Sequence, residues 1–427
     1  MNKKIKQISG GIRSQKENRA YFSKKSNFPV TLERKDSPMD NKIIQLVEKE
    51  YQDLQALMVP LFLQLFGRYL LSNKEWKRYY SYLFLLNAGT LFKQLITNNQ
   101  SRLIEHLKKL KNQCQSNQSK RSIVLVLDKT SDGPRYGKKQ RFATEQYTGS
   151  YGIIKTHGWI FLVAIMGDCD RRDILFLDAC LYEKGKSESE WREGYKMLQK
   201  FGKVLDEEGI SRDFVTVIGD NAYMNEESQE LLNENGWIYV GKAGGRKKVM
   251  LNGHDLSLAE HSQRYWGRYK ELSPCYHKKT KVIKYVRTCH KETGRVYFQG
   301  LFPRKYEHWA YPKRFLVTNW NSATAQWIFE KYNQRWGIEI YFRSLKQVCG
   351  WREYHPQTSG NRYMVHSLIT ILLYDFLNRI RRKIKRFGSC TLGIIKRMLI
   401  QETIKKDFLI EFPKDFFKMA YSEGIMN

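Results

Sequence analysis

Ser122–Asp128 reads SIVLVLD, five large apolar residues in a row followed by a carboxylate. A short apolar run rich in β-branched residues predicts a strand buried on both faces, inside a sheet that carries helices on each side. Phe214–Asp220, FVTVIGD, repeats the design. Between the two lie WIFLVAIMGD (Trp159–Asp168) and DILFLDACLYE (Asp173–Glu183), joined by the turn-forming GDCDRRD, which predicts a hairpin. SESEWREGYKMLQKFGKVLDEEG then places Trp191, Tyr195, Leu198 and Leu205 on one helical face, with Gly209 as its stop. NEESQELLNENG predicts a helix capped by Asn225 and ended at Gly236, and WIYVGKA predicts a further strand. The order strand, hairpin, helix, strand, helix, strand implies a mixed α/β sheet with flanking helices.

Both buried strands that end in Asp, at Asp128 and Asp220, deliver a carboxylate to the strand terminus, where open α/β sheets form their crevice. Read alone, each is equally well the Asp that opens a turn. A third acid changes the weighting. In KYNQRWGIEIYFRSLKQ (Lys331–Gln347), Tyr332, Arg335, Glu339 and Lys346 follow at offsets of three, four and seven. At about 3.6 residues per turn they fall within an arc of about 60°, while Ile338, Tyr341, Leu345 and Val348 take the opposite side. Arg335 and Glu339 could be an ordinary surface pair worth about 0.2–0.5 kcal/mol. With Asp128 and Asp220, however, Glu339 completes a set of three carboxylates, the oxygen donors that Mg²⁺ requires. Tyr332, Arg335 and Lys346 beside it would then grip phosphate.

The bulk numbers favour the same reading. The chain has 427 residues, 41% of them hydrophobic, so it builds packed units rather than a disordered polymer. Lys and Arg number 74 against 43 acids, a formal charge of +31. A polyanion is the natural partner for that excess, and a merely membrane-surface or ribosomal protein would not need the buried strands. The seven cysteines are scattered at irregular spacing, which argues for a reducing compartment and against a disulfide framework. Cys275, His277, Cys289 and His290 are poorly spaced for zinc. MVHSLITILLYDFLNRI is short for a span and contains Asp375, so it predicts a buried helix and no membrane partner.

The chain divides on composition. Residues 1–40 carry ten Lys/Arg and four acids and read as a basic flexible arm. Residues 41–115 are helical in pattern, with a break at Pro60, and would form an N-terminal DNA-end-binding domain. Residues 120–245 hold the first part of the core, and 246–311 a basic β insertion. From Gly241 to Ala310 sixteen Lys/Arg face five acids among interleaved aromatics, a texture suited to phosphate contact and base stacking. Residues 312–352 return to the core through RFLVTNW and the Glu339 helix, and 353–427 are basic and helical.

Tyr332, Arg335, Glu339 and Lys346 also form the pattern Y-x2-R-x3-E-x6-K, with Trp336 following the Arg. In this the chain resembles a large group of bacterial insertion-sequence transposases, DDE enzymes with an RNase H-like core and a β insertion before the Glu helix. The resemblance covers roughly Ser122 to Trp351. It implies Asp128, Asp220 and Glu339 as catalytic metal ligands for Mg²⁺ or Mn²⁺, two ions in all. It also implies Tyr332, Arg335 and Lys346 as phosphate contacts, and Trp336 and Trp266 as DNA-stacking residues. GDNAY departs from the residues often found after the group's second Asp, which keeps Asp213 and Asp168 as lesser candidates. The activity implied is cleavage at the inverted-repeat ends of its own element and transfer into target DNA, through a hairpin in related enzymes. The implied partners are double-stranded DNA and a second copy of the chain, in a bacterial cytoplasm at the nucleoid. An RNase H-like nuclease or junction resolvase, and a catalytically silent DNA-binding derivative, are the competing readings.

Overall fold

A computed structural model describes residues 87–113, 123–132, 142–148, 152–167, 173–183, 185, 187–251, 254–264, 270–272, 283–289, 294–301, 314–352, 360–383 and 391–397. The basic arm, most of 41–115, Trp266, Asp168, Cys275, His277, His290 and the end of the chain lie outside them.

The predicted strand at 123 is β1 (Ile123–Ser131), whose first five residues are all buried. A hairpin that the sequence pattern did not announce follows, β2 (Thr144–Thr148) with β3 (Gly152–Thr156). The announced hairpin is β4 (Gly158–Met166), buried along its whole length, with β5 (Asp173–Tyr182). Helix α1 (Ala88–Gln113) precedes β1, and α2 (Glu190–Glu207) buries Trp191, Tyr195, Leu198 and Leu205 as its apolar period requires. Gly209, at φ +62°, ends α2 in the left-handed conformation that glycine adopts without a Cβ penalty. After β6 (Val215–Gly219) comes α3 (Glu226–Glu234), where the Asn225 side chain accepts from the Ser228 N–H at 2.8 Å, the predicted cap. β7 (Ile238–Ala243) follows.

These strands lie in the order β5-β4-β1-β6-β7. β5, β4 and β1 are antiparallel neighbours, whereas β1, β6 and β7 run parallel. Three meandering strands flanked by two parallel ones, with helices packed on the sheet, make the expected mixed α/β, RNase H-like architecture.

The basic segment enlarges this sheet. β8 (Lys248–Leu251) and β9 (His254–Ser257) form a small hairpin, followed by α4 (Leu258–Arg264). β10 (Lys270–Leu272), β11 (Ile283–Cys289) and β12 (Val296–Leu301) then pair in succession onto β13 (Arg314–Thr318), which pairs with β7. The result is one nine-stranded sheet in which the insertion prolongs the core edge.

The helix expected across the YREK residues is two helices. α5 (Ala325–Gln334) and α6 (Trp336–Gln347) meet at Arg335, which belongs to neither. α6 is held against β4 by aromatic packing. Phe161 lies 6.0 Å from Tyr341, 5.3 Å from Phe342 and 5.6 Å from Trp351, ring centre to ring centre. Such pairs add about 0.5–1.5 kcal/mol each beyond area burial. α7 (Gly360–Lys383) contains the long apolar run and is buried as predicted, with Tyr374 edge-on to Tyr341 at 4.5 Å. Among the described residues no helix is long and apolar enough to cross a membrane.

α1 packs on β5 and α7 through Phe92 against Phe176 and through a buried polar knot. Asn99 donates to Asp375 at 2.6 Å, and Asp173 accepts from Asn378 at 2.8 Å and from Arg382. The last third of the predicted N-terminal domain is therefore part of the core's own packing.

Candidate active site

Parallel pairing sets the first two acids side by side. Leu127 on β1 is the register partner of Gly219 on β6. The next residues, Asp128 still inside β1 and Asp220 just past the end of β6, therefore lie at the same level, about 4.8 Å apart across the strands; the expected strand end at Asp128 is instead a mid-strand position. The turn reading holds at Asp220 alone, because β1 continues through Asp128 to Ser131. Asp128 accepts from the Lys129 N–H and Asp220 from the Ala222 N–H, each at 2.8 Å. Asp213 sits in the turn Arg212–Phe214 that enters β6, so the length of that strand separates it from the acid pair.

The third acid arrives from α6. Arg335 donates to Asp128 at 2.6 Å and to Glu339 at 2.5 Å, so one guanidinium ties the strand acid to the helix acid. The i,i+4 pair anticipated from spacing is real, but it is half of a bridge. Burial pushes the Asp128 carboxyl up to about 7; Arg335 pulls it back, Asp220 raises it, the Lys129 N–H lowers it and Glu339 raises it again. All three acids thus share one electrostatic neighbourhood. Burial works against the Arg335 charge, but Asp128, Tyr332, Glu339 and Asp220 outweigh it and hold the guanidinium above its ordinary value. The cluster is accessible: the Glu339 side chain is 35% exposed and that of Asp128 15%.

Pleat alternation extends the site along β1. Asp128, Thr130 and Asp132 fall on one face. Thr130 accepts from the Lys346 ammonium at 2.6 Å, and buried Asp132 pairs with His157 at 2.9 Å. Arg335 and Lys346 are about 16 Å apart along the helical rise, yet their partners are only two strand residues apart, so both long side chains lean toward the strand. Burial pushes the Lys346 ammonium down to about 8, helped by Arg352 and opposed by Asp132 and Asp128.

The expected polar stripe is therefore redistributed. Tyr332 lies on α5 and is buried, close enough to Arg335 to act on its charge. Trp336 is 50% exposed at the start of α6, beside the bridge, with Ile340 exposed one turn on. Trp266 lies outside the described residues.

Three nearby groups escaped the sequence reading. Lys129, which follows Asp128, forms an ion pair with Glu190 at the start of α2. Tyr223, three residues after Asp220, is 3% exposed; burial, then Glu190, Asp128, Asp220 and Cys180, push its phenol well above the ordinary value. Thr130 was legible only from strand alternation in DKTSD (Asp128–Asp132).

As a donor set, three carboxylates near one guanidinium fit a hard divalent cation, which would offset the burial, and the lesser repulsion from Asp220 and Glu339, that lift Asp128. Among the described residues they do not form a ready cage, since Arg335 lies bonded between Asp128 and Glu339. The fit is one of chemistry and neighbourhood.

Residues 194–373 match the family model described as transposase DDE domain. The span includes Asp220, Tyr332, Arg335, Glu339 and Lys346 and begins after Asp128. No curated protein matches the chain. Among solved structures the chain is similar to the NurA nuclease from Sulfolobus solfataricus, at 11% identity and a TM-score of 0.22, over 74% of this chain and 96% of that one. At that score the description of the fold rests on the strand order itself.

Proposed function

Proceeding from a chain that carries a transposase DDE domain over residues 194–373, we propose that it cuts DNA at the inverted-repeat ends of its own insertion sequence and joins them to target DNA. The reading places it in the YREK-signature group and in the bacterial cytoplasm at the nucleoid, working cut-and-paste, with a hairpin intermediate at the cleaved end. The observation that carries it is the convergence of Asp128 and Asp220, from paired parallel strands in the middle of the sheet, with Glu339 tied in through Arg335.

Asp128, Asp220 and Glu339 would hold two Mg²⁺ or Mn²⁺ ions. Divalent ions there supply charge stabilisation for an in-line displacement at phosphorus. The chain's own side chains bind and orient the DNA. Arg335 exchanges its carboxylate partners for a phosphate, which it can grip with two parallel N–H donors. Lys346 adds point charge from its anchor on Thr130, and Tyr332 supports Arg335 from behind. Trp336 offers an exposed indole on which a base at the end can stack, and Trp266 would add a second such surface from the insertion. Pairing of two ends calls for a dimer on DNA.

The test uses purified protein and DNA bearing the ends that flank the gene. Cleavage is expected only with Mg²⁺ or Mn²⁺. Glu339→Gln is expected to abolish nicking while end binding persists. A Gln variant that still cut would remove Glu339 from the site.

A further inference from the structure

Beyond Asp128, the face of β1 that α6 covers carries Thr130 and, just past the end of the strand, Asp132, about 7 Å further along the backbone. Both are buried. Thr130 accepts from the Lys346 ammonium at 2.6 Å, and among the described residues Lys346 forms no ion pair. A buried carboxylate one pleat away is the obvious counter-ion for it, and the Asp132 charge does act on Lys346. Yet Asp132 is turned elsewhere. Its Oδ2 lies 2.9 Å from the His157 Nδ1, which must carry the proton because a carboxylate only accepts. Its Oδ1 accepts from the Thr156 hydroxyl at 3.1 Å and from the His157 N–H at 3.4 Å. The imidazole is itself fixed. It stacks on Tyr363 with ring centres 3.9 Å apart, and the Tyr363 hydroxyl accepts from the Trp159 indole N–H at 2.6 Å. Trp159 is the cross-strand partner of Thr130, so one packed layer carries both contacts side by side.

We propose that His157 is a positioning residue for DNA binding: it holds the Asp132 carboxylate off Lys346 and so leaves that ammonium to a DNA phosphate. Thr130 is a neutral anchor, and an ammonium that donates to it still has two N–H groups to offer. A carboxylate in its place would bind as a buried ion pair, which a phosphate would have to break. A buried Asp132 deprived of the His157 donor needs another partner, and Lys346 is the cation one pleat away. The inference rests on the reading of Lys346 as a phosphate contact.

The experiment measures binding of the full chain to DNA bearing its element ends, without divalent ion, over a range of salt, alongside thermal unfolding. His157→Phe keeps a ring on Tyr363 and removes the Nδ1 donor. It is expected to weaken binding and to make the dependence of log K on log[salt] shallower by about 1, the loss of one phosphate contact. Adding Asp132→Asn to His157→Phe is expected to restore the parent slope, since a neutral amide does not compete for the ammonium. A folded His157→Phe with the parent slope overturns the proposal, and so does a double variant that stays shallow, which would make His157 merely structural. If His157→Phe does not fold, Asp132→Asn alone decides. The parent slope is expected, and a steeper one would mean that Asp132 already competes for Lys346, which overturns the proposal. Lys346→Gln separates the two failures. If it keeps the parent slope, the phosphate role of Lys346 falls; if it flattens the slope while His157→Phe does not, only the role of His157 falls.

Discussion

Two clusters of acids and arginines occupy this molecule, and charge balance separates them. In the knot between α1, β5 and α7, Asp173 and Asp375 face Arg102, Arg379 and Arg382 together with the amides of Asn99 and Asn378. At the centre of the sheet, Asp128 and Glu339 share the guanidinium of Arg335, and Asp220 acts on it through charge. Both settings raise a buried Asp, to about 6 at Asp375 and about 7 at Asp128. The knot matches its two acids with three arginines and two amides and holds elements together. The acid cluster has more negative charge than Arg335 neutralises, and it opens to solvent. An acid cluster that its own fold leaves under-neutralised is one that can recruit an external cation.

Breaking the acid cluster should therefore cost activity, and breaking the knot should cost stability. Asp128→Asn is expected to reduce DNA cleavage at least about 1,000-fold, the scale on which loss of transition-state electrostatics is felt. Its Tm should hold or rise, because an uncomfortable charge is removed; a gel assay beside calorimetry checks both. Asp173→Ala should do the reverse, lowering stability by about 2–3 kcal/mol as its buried donors lose their acceptor. Cleavage per folded molecule should survive, which denaturant titration and active-site counting can establish.

Trp336→Ala sharpens the comparison on the DNA side. It should weaken end binding by about 1–3 kcal/mol through lost stacking, with no shift in Tm, since the indole is half exposed. The smallest effect concerns pH. Burial raises Asp375 from 3.8 to about 6, against Arg102, Asn99 and Arg379 and with help from Asp173. Its protonated form is the one the fold prefers, so its contribution to stability is full below pH 3.8 and is lost as pH rises through about 6. Asp375→Asn should flatten that part of the Tm profile between pH 4 and pH 7.

Much of the core was legible because its residues declare themselves locally. SIVLVLD, FVTVIGD and the 159–183 hairpin are runs whose burial is dictated by composition, and Asn225 and Gly236 mark helix ends by their own backbone chemistry. The β2–β3 hairpin was missed because TEQYT and GIIKT hold too few consecutive apolar residues to declare a strand by composition. The split at Arg335 was missed because the periodicity of 331–347 continues across it. The addition of β10–β12 to the main sheet is a matter of which edge was open, and short-range pattern carries no such information.

Sequence alone determined the strand cores, the helix caps and the basic charge, and it singled out the three acids proposed for the site, because side-chain size, backbone preference and charge are local properties. Only the tertiary structure decided that Leu127 pairs with Gly219, that Arg335 reaches across 207 residues to Asp128, and that Tyr223 packs against Gly219 and Gly194. Register and long-range pairing depend on how separate segments bury one another, and that free energy belongs to the assembled sheet rather than to any one stretch of chain.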